Sequence, residues 1–130
     1  MANPNIVSVS SIYGESLGEA LTTTTTTVIM TVASNKLLKI NYMQIVNDHA
    51  TTTINCTVAI TKADFTSDGV ASGDDNAAII NLACLTPCPA GDILVIVDKP
   101  IYLMEGDNLE AGASAATGDI FVSYEVIDDA

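Results

Sequence analysis

The chain has no arginine and no tryptophan, and among its 130 residues it has one histidine and three cysteines. Each scarcity closes a route. Without a guanidinium fork there is no bidentate grip on phosphate or carboxylate, which argues against nucleotide and nucleic-acid binding alike. Four lysines face sixteen acids, a formal net charge of -12, so a phosphate backbone is repelled. A hydrolytic triad would need His49 as its base, and no Gly-x-Ser-x-Gly marks a nucleophile for it. His49, in "NDHATTT", reads as an exposed turn residue instead. Two Phe and four Tyr are few for the stacking platforms that line a glycosidase cleft.

The cysteines exclude as much as they offer. Cys56, Cys84 and Cys88 are odd in number and too few for a disulfide framework, so buried thiols and a reducing compartment are the expectation. "CLTPC" supplies Cys84 and Cys88 as half of a metal or redox site, but zinc takes four ligands and His49 lies in a different turn. Pro87 and Pro89 bracket Cys88 and mark a strand end. Apolar runs such as Ile93–Val97 fall far below a membrane span, and "MANPNIVSVSS" lacks a basic start followed by an apolar stretch. Neither a membrane partner nor export by a leader is expected, and the "NCT" acceptor pattern at Asn55 is then idle.

What is present is aliphatic and alternating. The chain is 48% hydrophobic and 15% charged, and its length suits one domain burying roughly two-thirds of the surface its unfolded chain exposes. Ile54, Cys56, Val58 and Ile60 alternate with Asn55, Thr57, Ala59 and Thr61, the two-residue period of a half-buried strand. The same period puts Leu38, Ile40 and Tyr42 on one face, Val28, Met30 and Val32 on another, and Ile120, Val122, Tyr124 and Val126 on a third. Residues 77–85 and Ile93–Val97 are apolar on both faces and read as central strands. Turn-formers separate these runs at short intervals, and no segment holds a helical period. These features predict an all-β fold: an antiparallel β-sandwich, jelly-roll-like, of about eight strands in a single domain spanning residues 1–130. The β-branched tract at residues 22–27 reads as strand or arm leading into the Val28 strand. Residues 1–12, short of charge, read as an extended arm whose Ile6, Val7, Val9 and Ile12 suit strand addition to a neighbour's sheet edge.

Two stretches carry carboxylates in suggestive patterns. In the long connection at residues 62–76, Asp64, Thr66, Asp68, Gly69 and Asp75 partly match a twelve-residue calcium loop with glycine sixth. Thr66 is a poor third ligand, Asp75 stands where a bidentate Glu is wanted, and no helices flank the loop. Asp64, Asp68 and Asp75 are therefore weak calcium candidates beside the plainer reading of a solvated acidic loop. In "MEGDNLEAGAS", Glu105 and Asp107 flank Gly106 between two alternating runs. Gly106 takes the positive φ such a connection often needs, and Asp107 and Asn108 bond readily to nearby backbone N–H groups. Glu105, Gly106, Asp107 and Asn108 are thus expected to form a structural turn, with no catalytic residue, no cofactor and no small-molecule substrate.

Residues 99–127, "KPIYLMEGDNLEAGASAATGDIFVSYEVI", together with "SSIYG" and "NKLLKINYMQIVN", resemble small β-rich virion proteins of tailed bacteriophages, especially those of cyanobacteria and marine bacteria. The P-I-x-L-x-E-G-D-x-L-x-A-x-A-S stretch and the closing S-Y-E-x-I carry the resemblance. The acidic loop and the two cysteines near Pro87 lie outside the pattern. The resemblance implies a structural subunit that is not an enzyme: a capsid decoration (cement) protein outside the head, assembled in the host cytoplasm, with the major capsid protein and itself as partners. A tail, baseplate or fibre-associated role is the rival within the virion. From another class, a carbohydrate-binding sandwich using loop 62–76 remains open.

Overall fold

The computed structural model describes residues 11–21, 26–63 and 79–128 and is built of strands without helices. In chain order these are β1 (Ser11–Leu21), β2 (Thr27–Thr31), β3 (Lys36–Asn47), β4 (Ile54–Thr61), β5 (Ile79–Cys88), β6 (Ile93–Val97), β7 (Ile101–Leu103), β8 (Asn108–Ala113) and β9 (Gly118–Asp128). All pairings are antiparallel. One sheet runs β1-β9-β3-β6, with β7 also on β3, and the other runs β2-β8-β4-β5. Set side by side, the two orders match sequence neighbours: β1 with β2, β9 with β8, β3 with β4, β6 with β5. That is the winding of a jelly roll. The nine strands agree with the expected number of about eight, and β6 and β7, interrupted by residues 98–100, share β3's outer side as two pieces of one edge.

Alternation correctly assigns the buried face of three strands. Ile54, Cys56, Val58 and Ile60 on β4, Leu109, Ala111 and Ala113 on β8, and Ile120, Val122 and Val126 on β9 all lie in the core. The large fully buried side chains include Ile40, Met43, Ile45, Ile54, Leu103, Leu109 and Ile120, each stabilising the fold by roughly 1.5–3 kcal/mol relative to exposure.

Two strands depart from simple alternation because they bulge. Along β3 the register against β9 shifts between Ile40 and Tyr42, so the buried set changes parity from Leu38 and Ile40 to Met43 and Ile45. The extra residue turns Tyr42 away from the face predicted for it. Along β2 a shift between Val28 and Met30 leaves Val28 exposed, while Ile29 and Met30 pack on the core.

The central placement of residues 79–85 and of Ile93–Val97 is overturned, while residues 77 and 78 lie outside the described residues. β5 pairs only with β4 and β6 only with β3, so each is an edge strand, and Ile79, Ile80, Leu82, Leu85, Ile93 and Val95 are exposed. Apolar side chains on both faces look the same in sequence whether a second sheet or nothing covers them. Pro87 lies inside β5, which an edge strand tolerates because one side of its ladder is unpaired. β1 begins at Ser11, so Ile12 belongs to a strand paired to Ile127 of the same chain and is no part of a free arm. Ile6, Val7 and Val9 lie outside the described residues.

Candidate functional site

The chain leaves β7 at Leu103 and enters β8 at Asn108, reversing direction within four residues. Gly106 makes this possible with φ +84°. A Cβ there would also come within 3.0 Å of the Ala63 Cβ, so both backbone conformation and space select glycine. The neighbouring Asp107 side chain is fully buried and its oxygens are all engaged. Oδ1 accepts the Ala63 N–H at 2.8 Å, and Oδ2 accepts the Met104 N–H at 2.9 Å and the Lys62 ammonium at 2.8 Å. The backbone on either side closes the corner: Gly106 N–H donates to the Val32 carbonyl and Val32 N–H donates to the Asp107 carbonyl, each at 3.0 Å. Asn108 adds a side-chain acceptor to the Thr31 hydroxyl at 2.7 Å.

One buried aspartate therefore ties β2, the end of β4 and the β7–β8 turn together. Its carboxylate oxygens are held by three donors, and the arrangement is that of a structural lock. This is the structural turn that the sequence predicts, with a depth and a cation partner that it does not announce. Glu105 is the unexpected member. It is 4% exposed, and neither carboxyl oxygen has a hydrogen-bond partner among the described residues.

A second lock sits where β3 ends. Asn47 is fully buried; its amide donates to the carbonyls of Thr52 at 2.8 Å and Cys88 at 2.9 Å, and its side-chain oxygen accepts the His49 N–H and the Thr117 hydroxyl. Its backbone accepts from Gly91 and donates to Asp92. His49 extends this lock, its Nδ1 accepting the N–H groups of Thr51 and Thr52 at 3.0 and 2.9 Å. The in-phase spacing of Asn47 after Met43 and Ile45 is the sequence signal for burial, visible only once the bulge in β3 is placed.

The remaining candidates do not converge. Cys56 and Cys88 are buried free thiols, and Cys84 is an exposed one, so "CLTPC" presents no chelating pair. Burial pushes the Cys56 thiol up to about 11 and also raises Cys88. Among the described residues no three His, Cys, Asp or Glu side chains gather as a metal set. Asp64, Asp68 and Asp75 lie outside the described residues, as do residues 22–25 of the threonine tract. Among the described residues, Lys36 pairs with Asp128, Lys39 with Glu125 and Lys62 with Asp107. Tyr124 donates to Glu15 Oε2 at 2.9 Å, and burial foremost, with that carboxylate's bond and charge, pushes the phenol up to about 12.

What the surface offers instead is apolar. On the outer face of the β1-β9-β3-β6 sheet, Phe121 stands beside Gly18, Gln44 and Val46 over an open depression of about 480 Å³. Val95 pairs with Gln44 and Ile93 with Val46 on the adjoining edge. No known protein family, curated protein or solved structure matches this chain.

Proposed function

We propose that this chain is a structural subunit of a tailed-bacteriophage virion: a capsid decoration protein that binds the outer surface of the major capsid protein lattice and associates with itself, assembled in the host cytoplasm. The carrying observation is how the polar groups are distributed. Buried Asp107 locks the β7–β8 turn to the ends of β2 and β4, and buried Asn47 locks the end of β3, while aliphatic side chains on β5 and β6 are left outside. A subunit of this kind needs a rigid body with contact surfaces and no reaction centre. A jelly roll is an architecture recurrent in viral capsid and lectin domains. The net charge of -12 keeps such a subunit off nucleic acid and dispersed at high copy number until lattice avidity captures it.

Cryo-electron microscopy of the source particle tests the reading. Density for this sandwich on the capsid lattice supports decoration. Density confined to the tail or baseplate replaces it with the tail-associated role, and absence from purified particles removes both. The depression under Phe121 favours one reading of another class, a carbohydrate-binding sandwich, since a single aromatic beside Gln44 is the least a sugar site requires. Calorimetry with a panel of mono- and oligosaccharides decides this: heats lost in Phe121→Ala would establish it, and a flat panel would remove it.

A further inference from the structure

On the outer face of the β1-β9-β3-β6 sheet the register fixes which side chains stand together. Gly18 and Gln44 both lie directly opposite Phe121, and Ala20 and Val46 both lie directly opposite Asp119. Ile120 between them is buried, so period two turns Phe121 and Asp119 outward with their cross-strand neighbours. They border an open depression of about 480 Å³, with Phe121 42% exposed. That volume falls within the roughly 300–1,000 Å³ of small-molecule sites.

The chain itself gives no reason for glycine at position 18. Its φ lies outside the left-handed region, and a Cβ added there would meet nothing within 4 Å. A glycine inside a strand weakens it, and one that neither backbone conformation nor crowding selects marks room for another molecule to approach.

The polar groups around Phe121 complement one another. The Tyr42 hydroxyl donates to Gln44 Oε1 at 2.8 Å, which occupies the amide's acceptor and leaves its Nε2 donors without a partner among the described residues. Asp119, exposed in the adjacent row, offers acceptors only. A ligand that meets both must donate and accept at neighbouring positions and carry an apolar face for the ring. A pyranose does so: each hydroxyl gives and takes a hydrogen bond, and its C–H groups lie favourably on the negative face of an aromatic.

We infer that this depression binds a neutral pyranose, stacked on Phe121 over the space beside Gly18, with Gln44 donating to one hydroxyl and Asp119 accepting from its neighbour. Charge selects among sugars: Glu19 and Asp119 both border the depression on a chain of net charge -12, so uronic acids are repelled. A simple cation would satisfy Asp119 but would face the Gln44 donors with like polarity. The inference rests on the carbohydrate-binding reading and adds to it the class of sugar and the residues that hold it; lattice decoration depends on neither.

Heteronuclear NMR titration of the full 130-residue chain tests it. The probes are methyl glucoside and methyl galactoside, each against its own uronic acid, with butylammonium chloride as the cation. Saturable shifts centred on Gly18, Gln44 and Phe121 are expected with a neutral glycoside, and its uronic acid should bind about tenfold more weakly. Phe121→Ala, checked for folding by circular dichroism, should weaken binding about tenfold or more, and Phe121→Trp should strengthen it. Gln44→Leu should weaken it severalfold. Equal affinity for a sugar and its uronic acid, or butylammonium binding as tightly as any glycoside, overturns the assigned class. Binding that Phe121→Ala leaves intact overturns this site, while the carbohydrate reading stands with a site elsewhere. No response to any glycoside removes both.

Discussion

At Asp107 and Glu105 two carboxyl side chains, two residues apart and both buried, have opposite consequences. Asp107 meets two N–H groups and an ammonium, so its desolvation is compensated; Asp107→Ala removes the acceptor that the Lys62 ammonium and the Ala63 and Met104 N–H groups share. With Lys62 still partly in water, the expected loss is about 3 kcal/mol, read as a lower midpoint in urea unfolding, with Asp107→Asn losing less. Glu105 has no such company, so Glu105→Met, which keeps length and removes the carboxyl, should raise stability by about 1–3 kcal/mol. A lower urea midpoint for that variant would mean that a partner from outside the described residues holds Glu105. Tyr124 supplies a pH dependence: its folded value of about 12 lies above the ordinary 10.0, so the stability it contributes is complete below pH 10 and is lost as pH rises through 12. Melting temperatures of the parent and of Tyr124→Phe should therefore converge on going from pH 9 to pH 12, and a constant gap would refute the assignment.

At the level of single strands, bulges decide more than composition does. The shift between Ile40 and Tyr42 lets the twelve-residue β3 keep Leu38 and Ile40 in the core at one end and Met43 and Ile45 in it at the other. Deleting Asn41 would bring Leu38, Ile40, Met43 and Ile45 to every-second-residue spacing, so a bulge-free β3 can keep the same core set against β9. Retention of a cooperative thermal transition by circular dichroism is the expected result. Its loss would show that the bulge itself is needed for folding. The edge strands carry the same lesson in reverse: β5 and β6 were read as central because nothing local distinguishes a strand flanked on both sides from one flanked on a single side. The alternating burial along β6, with Leu94 and Ile96 toward the core and Ile93 and Val95 away, appears only once its single partner is known.

Across the whole molecule, charge and architecture pull in different directions. Sixteen acids on a small sandwich repel one another, and the cross-strand pairs Lys36–Asp128 and Lys39–Glu125, each partly exposed, contribute roughly 0–1 kcal/mol apiece against that. Raising NaCl from about 20 to about 500 mM, which shortens the screening length roughly fivefold, should therefore increase the melting temperature, since relief of net repulsion outweighs the weakening of two surface pairs. A fall with salt would mean that the ion pairs dominate. The jelly-roll winding needs long-range pairing, with β1 against β9 joining the two ends of the described chain. Folding is accordingly expected to be slower than for helical domains of this size.

Alternating aliphatic residues, turn-formers at short intervals and the lack of any helical period were enough to determine an antiparallel sandwich, the buried faces of β4, β8 and β9, and the turn at residues 105–108. Those properties are local: period two follows from strand geometry, and glycine at positive φ follows from sterics. Tertiary structure decided which strands are edges, where parity flips, that Asp107 and Asn47 are buried locks, and that β5 meets water on both faces. Each of these depends on what lies across a sheet or beyond its rim, often dozens of residues away in the chain, and neighbouring residues carry no record of that.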